Sequence, residues 1–245
     1  MGHMSTAEPS ERPHAYQLVL DHIESGILEH RLKVGEQLPP ERDLAAQLGV
    51  SRSAVREAMR VLQTQGLITS GTGPGRGTRI APSQGDALGR IFRLHLTLSE
   101  DRIADLTEVR VALERASAAL AAGLADDRAT AELHSLLAAM AEAREIETFN
   151  SLDTDFHVQI ARAGSNLLIG DLTAAIREAA KEPLRAASLA MPNWQDFREH
   201  LHEQHRGILA AITARAPERA SELMEAHIRD AYAALGITSA PAVAD

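Results

Sequence analysis

The chain has 245 residues, enough for one large core or two ordinary ones. It carries a formal net charge of −9, and no apolar run approaches the roughly 20 residues needed to cross a bilayer. Cys is absent, which excludes disulfides and thiolate metal sites and fits a cytoplasmic protein. The opening Met1-Gly2-His3-Met4 reads as a vector remnant before a native start at Met4, and residues 1–10 are expected to form a tail. From His14 to His30, apolar residues at Leu18, Val19, Ile23 and Ile27 give a helical period. Gly35 and Pro39-Pro40 stop it, and Pro40 suits the first turn of a second helix. That helix buries Leu44, Ala45 and Leu48 and ends at Gly49. Ser51 then offers an N-cap hydroxyl to a third helix, with Val55, Met59 and Leu62 on one face.

The exposed first turn of the third helix carries Arg52, Ser53, Ala54 and Arg56. A recognition helix presents base-reading side chains at that end, and Arg can grip guanine through a bidentate fork. Gly66 closes the helix, and Leu67 to Ile80 reads as two short strands around Gly71, Gly73, Pro74, Gly75 and Gly77. This is the layout of a winged helix-turn-helix, placed at residues 11–82. A nucleotide-binding loop is excluded by spacing, since GxxxxGK[ST] and GxGxxG are both missing and no helix follows. The charge distribution agrees. Six arginines face three acids between Pro39 and Arg79, whereas residues 83–245 hold 16 basic and 25 acidic residues. An acidic body with a locally basic head suits a small, local contact with DNA.

The run PPERDLAAQLGVSRSAVREAMRVLQTQGLI resembles the N-terminal signature of the GntR family of bacterial transcription regulators. The resemblance implies DNA contacts by Arg42, Ser51, Arg52, Ser53 and Arg56, and a wing tip of Gly75, Arg76 and Gly77 in the minor groove. Ala54 is a departure, since the family often carries a Thr there.

Residues 83–86 are a short polar break. Beyond it come Ala- and Leu-rich stretches of helical period at roughly 85–97, 101–125, 128–145, 147–163, 166–190, 195–215 and 217–236. Gly123, Gly164, Pro192 and Pro217 separate them. The expected fold is mainly α: three helices and a two-stranded wing, then an all-α bundle of six or seven helices over 83–238, and a tail over 239–245.

Four polar residues stand out in the bundle. Asp153 and His157, at i and i+4, share a helix face, while His205 and His227 lie on the apolar sides of the last two helices. Each can be a satisfied core residue. Together, a carboxylate and three imidazoles can also hold a divalent ion and leave positions open for a ligand. Arg110 is either the partner of Glu114 at i+4 or a planar clamp for a carboxylate. Asn166 either contacts the same pocket or caps a helix. His95, His134 and Trp194 receive no role.

Residues 105–114, 153–157, 165–166, 205–212 and 224–227 resemble the ligand-binding FCD domain of the FadR branch. That resemblance implies a divalent metal on Asp153, His157, His205 and His227, with zinc ahead of nickel or manganese. It also implies a small carboxylate effector reaching Arg110 and Asn166. Gln204 stands where a Glu usually precedes the third ligand. The expected protein is a cytoplasmic homodimer on a pseudo-palindromic double-stranded operator, a repressor released by a carboxylate metabolite, with no catalytic residues and no membrane association. The alternative is a metal-dependent hydrolase or lyase fused to a DNA-binding head.

Overall fold

The structure is a computed structural model, and it describes residues 15–71, 77–81, 85–97 and 102–237. The chain divides into two compact units between Gln84 and Gly85.

In the first unit, α1 (Ala15–Leu28), α2 (Glu41–Leu48) and α3 (Arg52–Thr64) surround an aliphatic core of Val19, Ile23, Leu44, Val55 and Leu62. On α1, Leu20 is buried while Leu18 is largely exposed. At 100° per residue the inward stripe runs through 19, 20, 23 and 27, which carries Leu18 to the far side. Pro40 stands one residue before α2 rather than inside it. Its ψ of 143° is extended, and its carbonyl accepts from Asp43 and Leu44. Gly49 ends α2 in the left-handed conformation at φ 66°, its N–H bonded to the Ala45 carbonyl. The Ser51 hydroxyl accepts the Ala54 N–H at 3.2 Å and caps α3.

Strands β1 (Ile68–Ser70) and β2 (Thr78–Ile80) pair antiparallel, with Ile68 opposite Ile80 and Ser70 opposite Thr78. The connection between α1 and α2 runs along the other edge of β2. The Gly35 N–H bonds to the Ile80 carbonyl, Ile80 N–H to Glu36, and Leu38 N–H to Thr78. Arg79 closes this join by donating to the Gly35 carbonyl and Gln37 Oε1, each at 3.0 Å.

The second unit is built, among the described residues, from seven helices: α4 (Gly85–Thr97), α5 (Arg102–Leu124), α6 (Asp127–Glu142), α7 (Ile146–Ala163), α8 (Leu167–Ala190), α9 (Trp194–Thr213) and α10 (Pro217–Ala234). Gly123 does not interrupt α5; the break comes at Asp126, which caps α6 by accepting the Ala129 N–H. Pro217 opens α10 at its first residue, where a missing N–H is harmless. The core is aliphatic apart from Phe149, Phe156, Trp194, Phe197 and Tyr232, and the Phe149 and Trp194 rings meet edge to face at 5.6 Å. None of the described helices is long and apolar enough to cross a membrane.

Candidate functional site

The open side of α3 carries the side chains expected to read DNA. Ala54, Val55, Ala58, Met59 and Leu62 are buried, which leaves Arg52, Ser53 and Arg56 exposed at the helix start. Ser51 and Ser53 share a hydroxyl contact of 2.8 Å. Arg42 sits exposed beside Asp43 at 3.0 Å, and Arg56 lies 3.5 Å from Glu41. These pairs are solvated and hold their side chains weakly, so both guanidiniums can turn to phosphate or base. Gly77 is at the base of the wing, where an added Cβ would stand 2.6 Å from Gln37 Nε2. Gly75 and Arg76 lie outside the described residues.

In the second unit, five helices converge on one buried polar cluster. From α7 come Asp153 and His157, from α9 His205, and from α10 His227, with all four ligand atoms within 4.8 Å of one another. The three Nε2 atoms form a triangle with sides of 3.2, 3.2 and 3.1 Å. Asp153 Oδ1 lies 3.1 Å from His205 Nε2 and 3.7 Å from His157 Nε2. The imidazoles are all but fully buried.

Acceptors close to two of the outer nitrogens set the tautomers of His157 and His227. His157 Nδ1 lies 2.5 Å from Glu114 Oε2, an ionised carboxylate that can only accept. His227 Nδ1 lies 2.9 Å from Gln204 Oε1. The other end of that amide donates to Asp230 Oδ2 at 2.9 Å, so Oε1 faces His227 and Nδ1 carries the proton. Gln204 thereby supplies the acceptor expected of a Glu. Both Nε2 atoms are left with lone pairs facing each other at 3.2 Å, a repulsive contact that a shared cation resolves. Ligand atoms about 2.0–2.1 Å from one tetrahedral zinc stand about 3.3 Å apart, close to the observed triangle. The residues present fit a divalent ion, and the carboxyl and amide partners on the outer nitrogens are what such sites use to orient their imidazoles.

Two further groups complete this cluster: Glu114, expected from sequence only as a partner of Arg110, and Arg177, not singled out from sequence. Glu114 of α5 is 2% exposed and binds three partners: Arg110 Nε at 2.8 Å, Arg177 Nη1 at 3.0 Å, and His157. Arg177 of α8, also buried, spans Glu114 and Asp153. Its one signal in the sequence is position, since it shares the helix face of Thr173, Ala180 and Leu184. Arg110 is committed both to Glu114 and to the Tyr232 hydroxyl, the latter at 2.9 Å.

Electrostatics follow from this packing. Burial pushes the Glu114 and Asp153 carboxyls up, but the facing guanidiniums, Arg110 and Arg177 for Glu114 and Arg177 for Asp153, outweigh it and hold both well below the usual range. Burial, aided by Arg177, brings His157 down to about 4. Burial and the neighbouring imidazoles lower His227 as well. Two arginines therefore match two carboxylates, and His157 and His227 are neutral at pH 7, the form that binds metals.

A cavity of about 60 Å³ adjoins the cluster. Arg110, Asp153, Arg177 and His227 line its polar wall, Phe149, Phe197 and Ile228 its apolar wall, and Lys181 also borders it. Asn166 is not among the lining residues. It is exposed, and its Oδ1 accepts the Ile169 N–H at 3.1 Å to cap α8, so of its two expected roles the structure displays the cap.

A winged helix-turn-helix joined in one chain to an all-helical domain with a buried polar pocket is the build of a DNA-binding, ligand-sensing transcription regulator. Residues 15–80 match the profile described as "Bacterial regulatory proteins, gntR family", and residues 105–230 match the FCD domain. The Glc operon transcriptional activator of Escherichia coli (strain K12) is 31% identical over 230 residues, which cover 89% of this chain and 88% of that one. The HTH-type transcriptional repressor NanR of Salmonella arizonae is 28% identical, over 95% of this chain and 89% of its own. Among solved structures, Streptococcus agalactiae GntR superposes with a TM-score of 0.61 at 28% identity, covering 89% of this chain and 98% of that chain. The chain belongs to the GntR family, with a GntR helix-turn-helix and an FCD domain. It is a transcription regulator and not an enzyme; the alternative of a hydrolase or lyase with a DNA-binding head finds no support.

Proposed function

We propose that the protein is a metal-containing, effector-responsive regulator that binds a pseudo-palindromic operator as a cytoplasmic homodimer and is released by a small carboxylate. The observation that carries the metal is the triangle of His157, His205 and His227 Nε2 atoms at 3.1–3.2 Å, with the outer nitrogens of two of them already holding acceptors. Asp153 and the three imidazoles would hold the ion, zinc first, with nickel and manganese compatible with the same donors. The ion would supply a positive centre for an acid at the cavity wall.

The charge count supports an acid. Arg110 and Arg177 are already balanced by Glu114 and Asp153, so these groups alone offer no surplus positive charge. A divalent ion adds two, which an anionic ligand can offset. Arg110 orients that ligand at the wall, and the small cavity favours a metabolite over an acyl chain. In the head, Arg42, Ser51, Arg52, Ser53 and Arg56 contact the operator, with Gly75, Arg76 and Gly77 at the wing. Of the relatives, one is named an activator and one a repressor. A third is named for an L-lactate dehydrogenase operon, whose enzyme handles a small acid.

The test is a thermal-shift screen of small carboxylates on the purified protein, with zinc and with chelator. The reading requires an acid that raises Tm only in the zinc-loaded protein, and one zinc per chain that is lost in His157→Ala. Acid binding that ignores the chelator refutes it.

A further inference from the structure

Along α8, Arg177, Lys181, Leu184 and Ser188 all border the cavity. Their spacings of four, three and four residues place them on one stripe of the helix. Arg177 closes the inner end against Glu114 and Asp153. Lys181 is one turn further on, about 6 Å along the axis. It also lines a solvent-facing polar groove between α7 and α8, as does Thr154, so the two side chains form the rim where cavity meets groove.

The three cations of the cavity are therefore not equivalent. Arg110 and Arg177 are buried and fastened to carboxylates and a phenol at contact distance. Lys181 is 56% exposed, and its ion pair with Glu178 is 3.7 Å long, well beyond the 2.7–2.9 Å of a direct charge-assisted bond. Glu178 also lies 3.6 Å from Arg93 of α4, so it keeps a cationic neighbour when Lys181 swings inward. The rest of the lining includes the apolar side chains of Phe149, Phe197 and Leu201.

We propose that Lys181 is the specificity-determining residue of this cavity: it receives a second acidic group at the far end of the ligand and selects short dianions over monoanions. This rests on the reading of the cavity as an acid-binding site. One acidic group sits at the imidazoles and Arg110, an aliphatic middle lies against the phenylalanines, and the other reaches the rim. The fitting acids are roughly four to six carbons long, the span of one helical turn plus a flexible lysine.

The test is calorimetric titration of the full-length, zinc-loaded protein with succinate, malate, glutarate and adipate, each against the monocarboxylate of equal length. Wild type binds at least one of the dicarboxylates tighter than its one-ended counterpart. Lys181→Ala weakens that dicarboxylate about tenfold, the loss of one charge-assisted contact, and leaves the monocarboxylate within twofold. Lys181→Arg restores most of the difference. Because Lys181 is on the rim, the melting temperature without ligand is unchanged in both variants. Acid binding in which Lys181→Ala weakens both classes equally, or neither, overturns the assignment of Lys181 and leaves the acid-binding reading standing. Failure of wild type to bind any of these acids overturns both.

Discussion

Replacing Glu114 with Gln keeps shape and volume and removes one charge at the centre of the cluster. The amide can still accept from His157 Nδ1, so that contact survives. What is lost is the counter-charge that Arg110 meets at 2.8 Å and Arg177 at 3.0 Å, with all three groups almost fully buried. Two buried guanidiniums then face one remaining carboxylate, Asp153. Breaking a buried ion pair from one side costs about 3–5 kcal/mol. For a unit of this size each kcal/mol moves Tm by about 2–4 °C, so a fall of roughly 6–20 °C is expected. The excess positive charge and the weaker hold on the His157 ring should also reduce zinc affinity by about 10–100-fold. Denaturant unfolding of the metal-free protein measures the first effect, and competition against a chromogenic chelator the second. A loss under about 1 kcal/mol with unchanged zinc affinity would show that Glu114 is a bystander.

In the metal-free protein, His157 stays neutral down to about pH 4 because burial, reinforced by Arg177, resists its proton, while the unfolded chain takes one up near 6.5. Stability should therefore fall as pH drops from 6.5 towards 4, by up to about 3 kcal/mol for this group. His227, Asp153 and Glu114 are also depressed and act in the same direction; a Tm equal at pH 7.5 and 5 in chelator contradicts this. Asn166→Ala should cost about 1 kcal/mol of stability through the lost α8 cap and leave acid affinity unchanged, whereas weakened acid binding at constant stability returns Asn166 to the pocket. Arg52→Ala should weaken specific operator binding by roughly 1–3 kcal/mol in a gel-shift titration; unchanged affinity removes Arg52 from the reading surface.

The helices were legible because their signals are local. Ala- and Leu-rich periods broken by Gly and Pro place α4 at 85–97 and α8 at 166–190 from sequence, against Gly85–Thr97 and Leu167–Ala190 in the structure. Ser51 and Gly49 declared the turn by their own chemistry. The four candidate metal ligands could be seen because histidines on apolar faces are conspicuous. Glu114 showed only as the i+4 partner of Arg110, and Arg177 not at all, since charged residues in an Ala-rich helix read as solvated surface. Their burial arises only when α5, α7 and α8 bring opposite charges together. The join between Gln37 and Arg79 was hidden for the same reason, because 42 residues separate partners that meet only after the wing folds. Leu18 was misplaced by taking apolar character for inward direction.

The cancelling charges around Glu114 have a consequence for what such a regulator can report. A pocket that holds its own arginines in balance gives an anion little to bind until a cation has arrived. In the proposed regulator the metal is therefore one of two inputs, and the response follows the product of two concentrations. A cell short of the ion would leave the operator in one state however much acid it accumulated. On that proposal the buried pairs would make the protein a coincidence detector, answering to a nutrient only when the metal supply is also in place.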